Sequence, residues 1–374
     1  MRNISLNRTI VLTASLLFGP APSWPRTGPS ERGPRADSLA TIVSRHIEAL
    51  GGLEQLHAIK DRVVRGSYRE GTDSFTTYIA QSRPFYRTLT DPALPNNGGE
   101  GYDGSAWEYY PDPGIVVRTV GAAAAATRHT AMFDDVLVDA DVKGTTLVLR
   151  ESRIVAGHPV FVIRATLADG FERDVFVNTS TYMIDGDERV VSMHAFGANR
   201  RLYELYSDYR RVSGVMFPFH GSEVDADSNK VIDEGFVTSV EFNGALPVSM
   251  FSPPDFERTP LQQMIQKIYD EREDSAAVIS TYRNYRPLVT LGKATSDAVD
   301  FAGYQCLKMG HIRSAVGLLT LNVADSPGSA RAHFGLGRAL QSANRLDEAK
   351  AEMRRTLEID PNFVRARKAL DALK

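Results

Sequence analysis

The chain has 374 residues, 43% hydrophobic and 24% charged, with a net charge of −3, which is enough for two domains with separate cores and excludes a disordered chain. Residues 37–259 carry 21 Lys/Arg against 32 Asp/Glu, an acidic balance that argues against a nucleic-acid partner, since phosphate neutralisation needs a cationic face. The single Cys306 excludes an intramolecular disulfide, a CxxC redox pair and a cysteine zinc cluster.

Arg2 and Arg8 flank the start of IVLTASLLFG, an apolar run of signal-peptide length and short for a membrane span. Residues 1–24 read as a signal peptide or, uncleaved, an N-terminal anchor, and residues 25–37 as a Pro-, Gly- and Arg-containing linker. A periplasmic or secreted location follows as an expectation. SLATIVSRHIEALGG is one amphipathic helix, with Ser38 as N-cap and Gly51-Gly52 as its stop.

From Arg62 to about Phe251 the rhythm becomes short Val-, Tyr-, Phe- and Thr-rich segments broken by Gly, Asp, Asn and Pro, a long antiparallel meander with one wet and one buried face. LADGFERDV reads as two arms around the Asp169-Gly170 turn. GYDGSAWEYYP reads as a hairpin turning at Asp103-Gly104, with Trp107 and Tyr109 on one face and Glu108 and Tyr110 on the other. An alanine-rich helix is expected from Ala122 to about Asp135. The acidic DDVLVDAD (Asp134 to Asp141) lacks the Gly and terminal Glu of a calcium loop and reads as a solvated helix end; DGDER (Asp185 to Arg189) and DADSN (Asp225 to Asn229) read as turns.

Strand signals stop near Pro253, and residues 260–374 read as helix–turn–helix. Gly303 and Gly337, Ala315 and Ala349, and Pro327 and Pro361 each stand 34 residues apart, the period of a tetratricopeptide (TPR) array. Repeats are expected near 296–327 and 330–361, with two covering helices within 260–287 and a capping helix from Phe363 to Leu373. The first helices of such repeats line the groove and would present Asp297, Asp300, Tyr304 and Lys308, then Arg331, Phe334, Arg338 and Gln341, to a peptide or helix of a partner protein.

No G-x-S-x-G, S-x-x-K, H-E-x-x-H, phosphate-loop or dinucleotide motif is present, and the eight histidines are scattered singly. No catalytic residue, cofactor or metal is expected on these grounds. Aromatics are the positive signal: Trp107, Tyr109, Tyr203 and Phe217 lie in strand arms and are candidates for the wall of an apolar cavity, although a filled core needs the same residues.

The order HIEALGGLEQLHAIKDRVVRGSY, GYDGSAWEYYP, AMFDD, LYSDYRRVSGVMFPFHGSEV and VEFNGALPVSMFSPP resembles the outer-membrane lipoprotein-sorting (LolA/LolB-like) superfamily over roughly residues 38–256. The resemblance implies an eleven-stranded unclosed antiparallel half-barrel with helices over its concave apolar face, binding lipid, acyl chains or lipidated protein without catalysis. The whole would be an α+β domain followed by an all-α repeat module. A hydrolase using carboxylates in the half-barrel cleft, and an architectural protein with a filled barrel, are the rival readings.

Overall fold

The structure, a computed structural model, describes residues 37–71, 73–83, 86–88, 99–192 and 199–373. The expected signal segment (1–24) and nearly all of the linker (25–37) lie outside the described residues. Contacts divide the chain into two compact units. Among the described residues, the first holds 37–107 and 119–252, and the second holds Glu108–Arg118 together with 253–373.

The first unit opens with α1 (Leu39–Leu50), capped by Ser38, whose hydroxyl accepts from Thr41 N at 3.2 Å, and α2 (Leu53–Ala58). The strands are β1 (Asp61–Glu70), β2 (Asp73–Ser82), β3 (Tyr86–Thr88), β4 (Gly99–Tyr102), β5 (Ala106–Tyr110), β6 (Ile115–Arg118), β7 (Thr146–Leu149), β8 (Arg153–Val155), β9 (His158–Thr166), β10 (Glu172–Asn178), β11 (Ile184–Ser192), β12 (Asn199–Val212), β13 (Val215–Asp225) and β14 (Lys230–Phe242). They form one sheet in the order β6-β5-β4-β3-β2-β1-β14-β13-β12-β11-β10-β9-β7, with β8 also on β9. Two meanders therefore run outward from a central β1–β14 pair, and the end strands β6 and β7 do not join. The resemblance implied eleven strands; the described residues hold fourteen, some only three or four residues long.

Helix α1 covers one face. Its Ile42 is fully buried in a cluster with Val136, Leu137, Ile163, Val175, Val177 and Ile184. Leu50 and Leu56 do the same against Phe133, Val138, Met183 and Val215. The opposite face is not simply wet, as alternation suggested. Phe176 is fully buried there with Val160, Val162 and Val155, because β8 and the Tyr203 and Leu205 side chains of β12 supply apolar neighbours. Elsewhere on the sheet, Trp107 is fully buried and its Nε1 donates to Phe251 O at 2.8 Å.

Three expectations are corrected. The alanine-rich helix α3 is Gly121–Thr130 and ends five residues earlier than expected. DDVLVDAD is a run of turns, not a solvated helix end: Asp134 pairs with Arg83 and Asp135 with His46, while Asp141 is exposed. DGDER is likewise no turn, since Asp185 to Arg189 lie inside β11. A Cβ at Gly186 would stand 2.2 Å from Glu204 O, so this glycine serves close strand approach at a bulge rather than chain reversal. DADSN does turn, between β13 and β14, with Asp225 accepting from Ser228 N at 2.8 Å.

The second unit is helical: α4 (Pro260–Asp270), α5 (Ser275–Tyr285), α6 (Lys293–Lys308), α7 (Ile312–Asp325), α8 (Ala330–Ser342), α9 (Leu346–Ile359) and α10 (Val364–Asp371). Thr259 and Gln262 form a capping box that starts α4. Packing explains the recurring small residues. A Cβ at Gly303 would sit 2.5 Å from Leu319 Cγ, and one at Gly337 2.9 Å from Met353 Cε, while Ala315 and Ala349 are fully buried. Gly303→Val should therefore destabilise this unit by roughly 1–3 kcal/mol through overpacking, readable by chemical denaturation. An unchanged midpoint would mean the helices do not pack this closely. The Glu108–Arg118 hairpin belongs to this unit: Gln266 accepts from Val116 N at 2.8 Å and donates to Val116 O at 3.0 Å, and Tyr110 meets Phe301 with ring centroids 5.4 Å apart.

Candidate functional site

Register builds an acidic row across the helix-covered face of the sheet. Val175, which packs beneath Ile42, faces Asp187; Asp187 faces Glu204, Glu204 faces Glu223, and Glu223 faces Asp233. Directly opposed side chains on paired strands lie about 5 Å apart, where like charges repel. Two arginines offset the repulsion. Arg189, 7% exposed, ion-pairs with Asp187 at 2.6 Å and with Glu204, and stands 3.8 Å from Glu223; Arg173 reaches Asp187 at 3.0 Å. Burial works against the Glu204 carboxylate, but Arg189 and Arg173 outweigh it and hold its pKa below the ordinary value. Glu223 fares differently. Burial, then Glu204 and Asp233, push it up to about 8.

Two residues along the same strands, and so on the same face, lies a trough. Tyr206 faces Gly221, Gly221 faces Gly235, Gly235 faces Tyr68, and Tyr68 faces Phe75. A Cβ at Gly221 would meet Leu205 O at 3.7 Å and the Tyr206 ring at 3.9 Å, and one at Gly235 only Gly221 O at 4.0 Å, so the floor has room for added side-chain atoms at both positions. The tyrosine walls stand on strands about 14 Å apart, three strand spacings. Tyr68 and Phe75 stack at 5.0 Å and remain 36% and 38% exposed, whereas Phe219, one step along from Gly221, is buried.

The cavity candidates are dispersed. Phe217 lies on the same face of β13 as Gly221 and Glu223, beside Phe219 at 6.4 Å and under the Arg62 guanidinium at 5.5 Å. Tyr203 points to the opposite face, with Phe176 and Leu205. Trp107 is enclosed in packing, and Tyr109 is buried in the helical unit against Phe256, 5.5 Å between centroids. Sequence reading missed Asp187, Arg189, Glu204, Tyr206, Gly221, Glu223, Asp233 and Gly235. A signal existed in the spacing, since Glu204-x-Tyr206, Gly221-x-Glu223 and Asp233-x-Gly235 each set a carboxylate two positions from a tyrosine or glycine.

Helix α1 is tied over this face by charge. His46, 1% exposed, places Nδ1 2.8 Å from Tyr182 O and Nε2 3.2 Å from Asp135 Oδ2. Both partners are acceptors, so a ring serving both carries two N–H groups and is an imidazolium. Burial lowers the His46 pKa, but Asp135 and the Tyr182 carbonyl outweigh it and leave it raised. Asp135, disfavoured by burial, is nonetheless drawn down to about 2 by His46, Leu137 N and Lys143. In the same stretch Asp139 meets His57 at 2.6 Å, and Asp134 pairs with Arg83.

For hydrolysis the nearest arrangement is on the outer face, where Ser207 Oγ lies 2.8 Å from His220 Nδ1 and His220 Nε2 3.6 Å from Glu234. Glu234 is also gripped by Arg69, which holds its carboxylate in an ion pair. Among the described residues no group of three or more His, Cys, Asp or Glu is placed to hold a metal ion.

In the helical unit, first helices α6 and α8 lie side by side. Arg331 reaches Asp300 at 2.7 Å and Asp297 at 3.7 Å, so three expected groove residues pair with one another. Tyr304, Lys308 and Arg338 are exposed, Gln341 is half-buried, and Phe334 lies against Phe363 at 5.0 Å.

Residues 307–373 match the tetratricopeptide repeat family model. No curated protein matches the chain. Among solved structures, a DUF1329 family protein from Desulfovibrio piger is 12% identical, covering 58% of this chain and 98% of that one, with a TM-score of 0.39. A LolA superfamily protein from Nitrosomonas europaea is 16% identical with the same coverages and TM-score. The first TPR of Spaghetti, bound to an HSP90 peptide, is 18% identical, covering 31% of this chain and 92% of that one, with a TM-score of 0.24. The chain thus carries an unclosed antiparallel β-sheet followed by C-terminal helices, residues 307–373 of which match the tetratricopeptide repeat model, in the order the sequence led one to expect. Among the described residues no helix is long and apolar enough to cross a membrane.

Proposed function

We propose that this chain is a non-enzymatic binding protein of the cell envelope. Its half-barrel holds an apolar ligand (a lipid, an acyl chain or a lipidated client), and its TPR helices recruit a protein partner. The observation that carries this reading is the glycine-floored trough between Tyr206 and the Tyr68–Phe75 pair on the helix-covered face, where Gly221 and Gly235 leave room for added side-chain atoms. The acidic row at its end disfavours an anionic headgroup there. Export rests on the N-terminal sequence alone, and the cationic flank and apolar run of residues 1–24 support it.

Gly221→Val with Gly235→Val tests the reading, because a Cβ fits at both positions and valine suits a strand. The double variant should melt like the parent yet bind a neutral naphthylamine fluorophore at least about tenfold more weakly. Native mass spectrometry of mildly extracted parent protein should show a co-purifying lipid. Equal fluorophore binding by parent and variant, or a parent that takes neither lipid nor fluorophore, would sink the proposal.

A further inference from the structure

The first-helix face of the repeats is more basic than its residue list suggests. It holds two aspartates, but both are consumed internally: Arg331 takes Asp300 and Asp297, and Asp300 is buried, with its carboxyl brought against Gly335, where a Cβ would lie 2.2 Å away. Helix α8, ARAHFGLGRALQS, contains no acidic residue, and α10, VRARKALD, has one against three Lys/Arg. Lys308, Arg338 and Arg365 are exposed and form no ion pair among the described residues. They are distributed one per helix over α6, α8 and α10.

Two of the three cations come with an aromatic surface. Lys308 Nζ sits 5.4 Å from the Tyr304 ring, which is 41% exposed. Arg365 stands 5.4 Å from Phe334 and 5.6 Å from Phe363, which pack on each other. Such cations already lie on ring faces, so their positive charge is held in place rather than swinging free. The 34-residue period puts Asp297, Arg331 and Arg365 at equivalent positions, so the face becomes more cationic from the first repeat toward the cap.

We infer that the α6–α8–α10 face docks an acidic, aromatic- or aliphatic-bearing peptide segment of a partner protein, its carboxylates meeting Lys308, Arg338 and Arg365 and its apolar side chains lying on Tyr304, Phe334 and Phe363. This rests on the reading that the helical unit is the partner site. Charge complementarity selects the occupant: a basic segment would face three uncompensated cations, and a neutral one would leave them unused.

A display library of random peptides about twelve residues long, selected on the immobilised full chain, tests this directly. Enriched peptides should be strongly acidic with spaced apolar residues, should weaken as salt rises, and should bind the K308E/R338E/R365E variant at least about tenfold less well. Circular dichroism should show the same folded spectrum for both proteins and melting within a few degrees, since the three side chains are exposed and only ring-face contacts are lost. Enriched peptides that are neutral or basic, or acidic ones indifferent to the triple reversal, would overturn the inference while leaving the partner-site reading standing. Failure to enrich any peptide over a blank support would remove both.

Discussion

Replacing Arg189 by methionine should cost the β-rich unit about 3–5 kcal/mol at pH 7.5 and much less near pH 5. The guanidinium is 7% exposed and pairs with Asp187 and Glu204 beside Glu223. Methionine fills similar volume without charge, so packing survives and the Asp187 and Glu204 carboxylates, directly opposed and next to Glu223, lose their main counterion. Acid relieves the cost, because carboxylates without Arg189 take up protons more readily and protonated partners no longer repel. Urea denaturation at the two pH values reads both parts. Arg201, about half exposed and paired with Asp227 at 2.8 Å, is the control: its methionine variant should change stability by less than about 1 kcal/mol at either pH. A loss for R189M no larger than the control's, or one indifferent to pH, would mean that the row is not held under electrostatic load.

The repeats and the strands were legible because their signals are local. A 34-residue spacing of Gly, Ala and Pro needs no knowledge of pairing, and Gly303 and Gly337 prove to be the points where first helices meet Leu319 and Met353. The acidic row was not legible, because it exists only after non-local registers are fixed. Glu204 and Glu223 are separated by a hairpin, and the trough joins Gly235 to Tyr68 from the far end of the domain. DGDER misled for a specific reason: Gly186 answers to Glu204 O on the next strand, whereas Gly flanked by Asp in sequence suggests a turn. DDVLVDAD misled in a related way. Its aspartates look solvated until His46, His57 and Arg83, drawn from distant segments, are brought beside them. Trp107 and Tyr109 were legible as a pair on a strand, but not as core: alternation marks a shared face and leaves open whether that face is filled.

The β-rich unit should be most stable in mild acid and lose roughly 3–8 °C of melting temperature between pH 5.5 and 8.5, by calorimetry. Two groups give the sign. Glu223 titrates near 8 in the folded chain, above the value of a free glutamate, so the folded state holds a proton that the unfolded state has released. Its contribution is complete below about 4.5 and disappears as pH rises through 8. His46 is also raised when folded, so the imidazolium that ties α1 to Asp135 and Tyr182 O contributes fully below about 6.5 and is lost as pH rises through its folded value. Asp135 acts at the other end: with a folded pKa of about 2, its contribution is present above about 4 and lost only in stronger acid. Variants separate the two alkaline losses. Glu223→Gln keeps the shape without the charge, so it should remove the Glu223 part of the slope and leave the variant more stable than the parent at pH 8.5. His46→Asn should be less stable than the parent at pH 5.5, by a margin that narrows as pH rises through the folded pKa of His46. A parent profile that is flat from pH 5.5 to 8.5 would contradict both assignments. A slope that persists in E223Q but vanishes in H46N would place it wholly in the helix tie, which would leave Glu223 ionised at neutral pH and the acidic end of the trough more negative than its folded pKa implies.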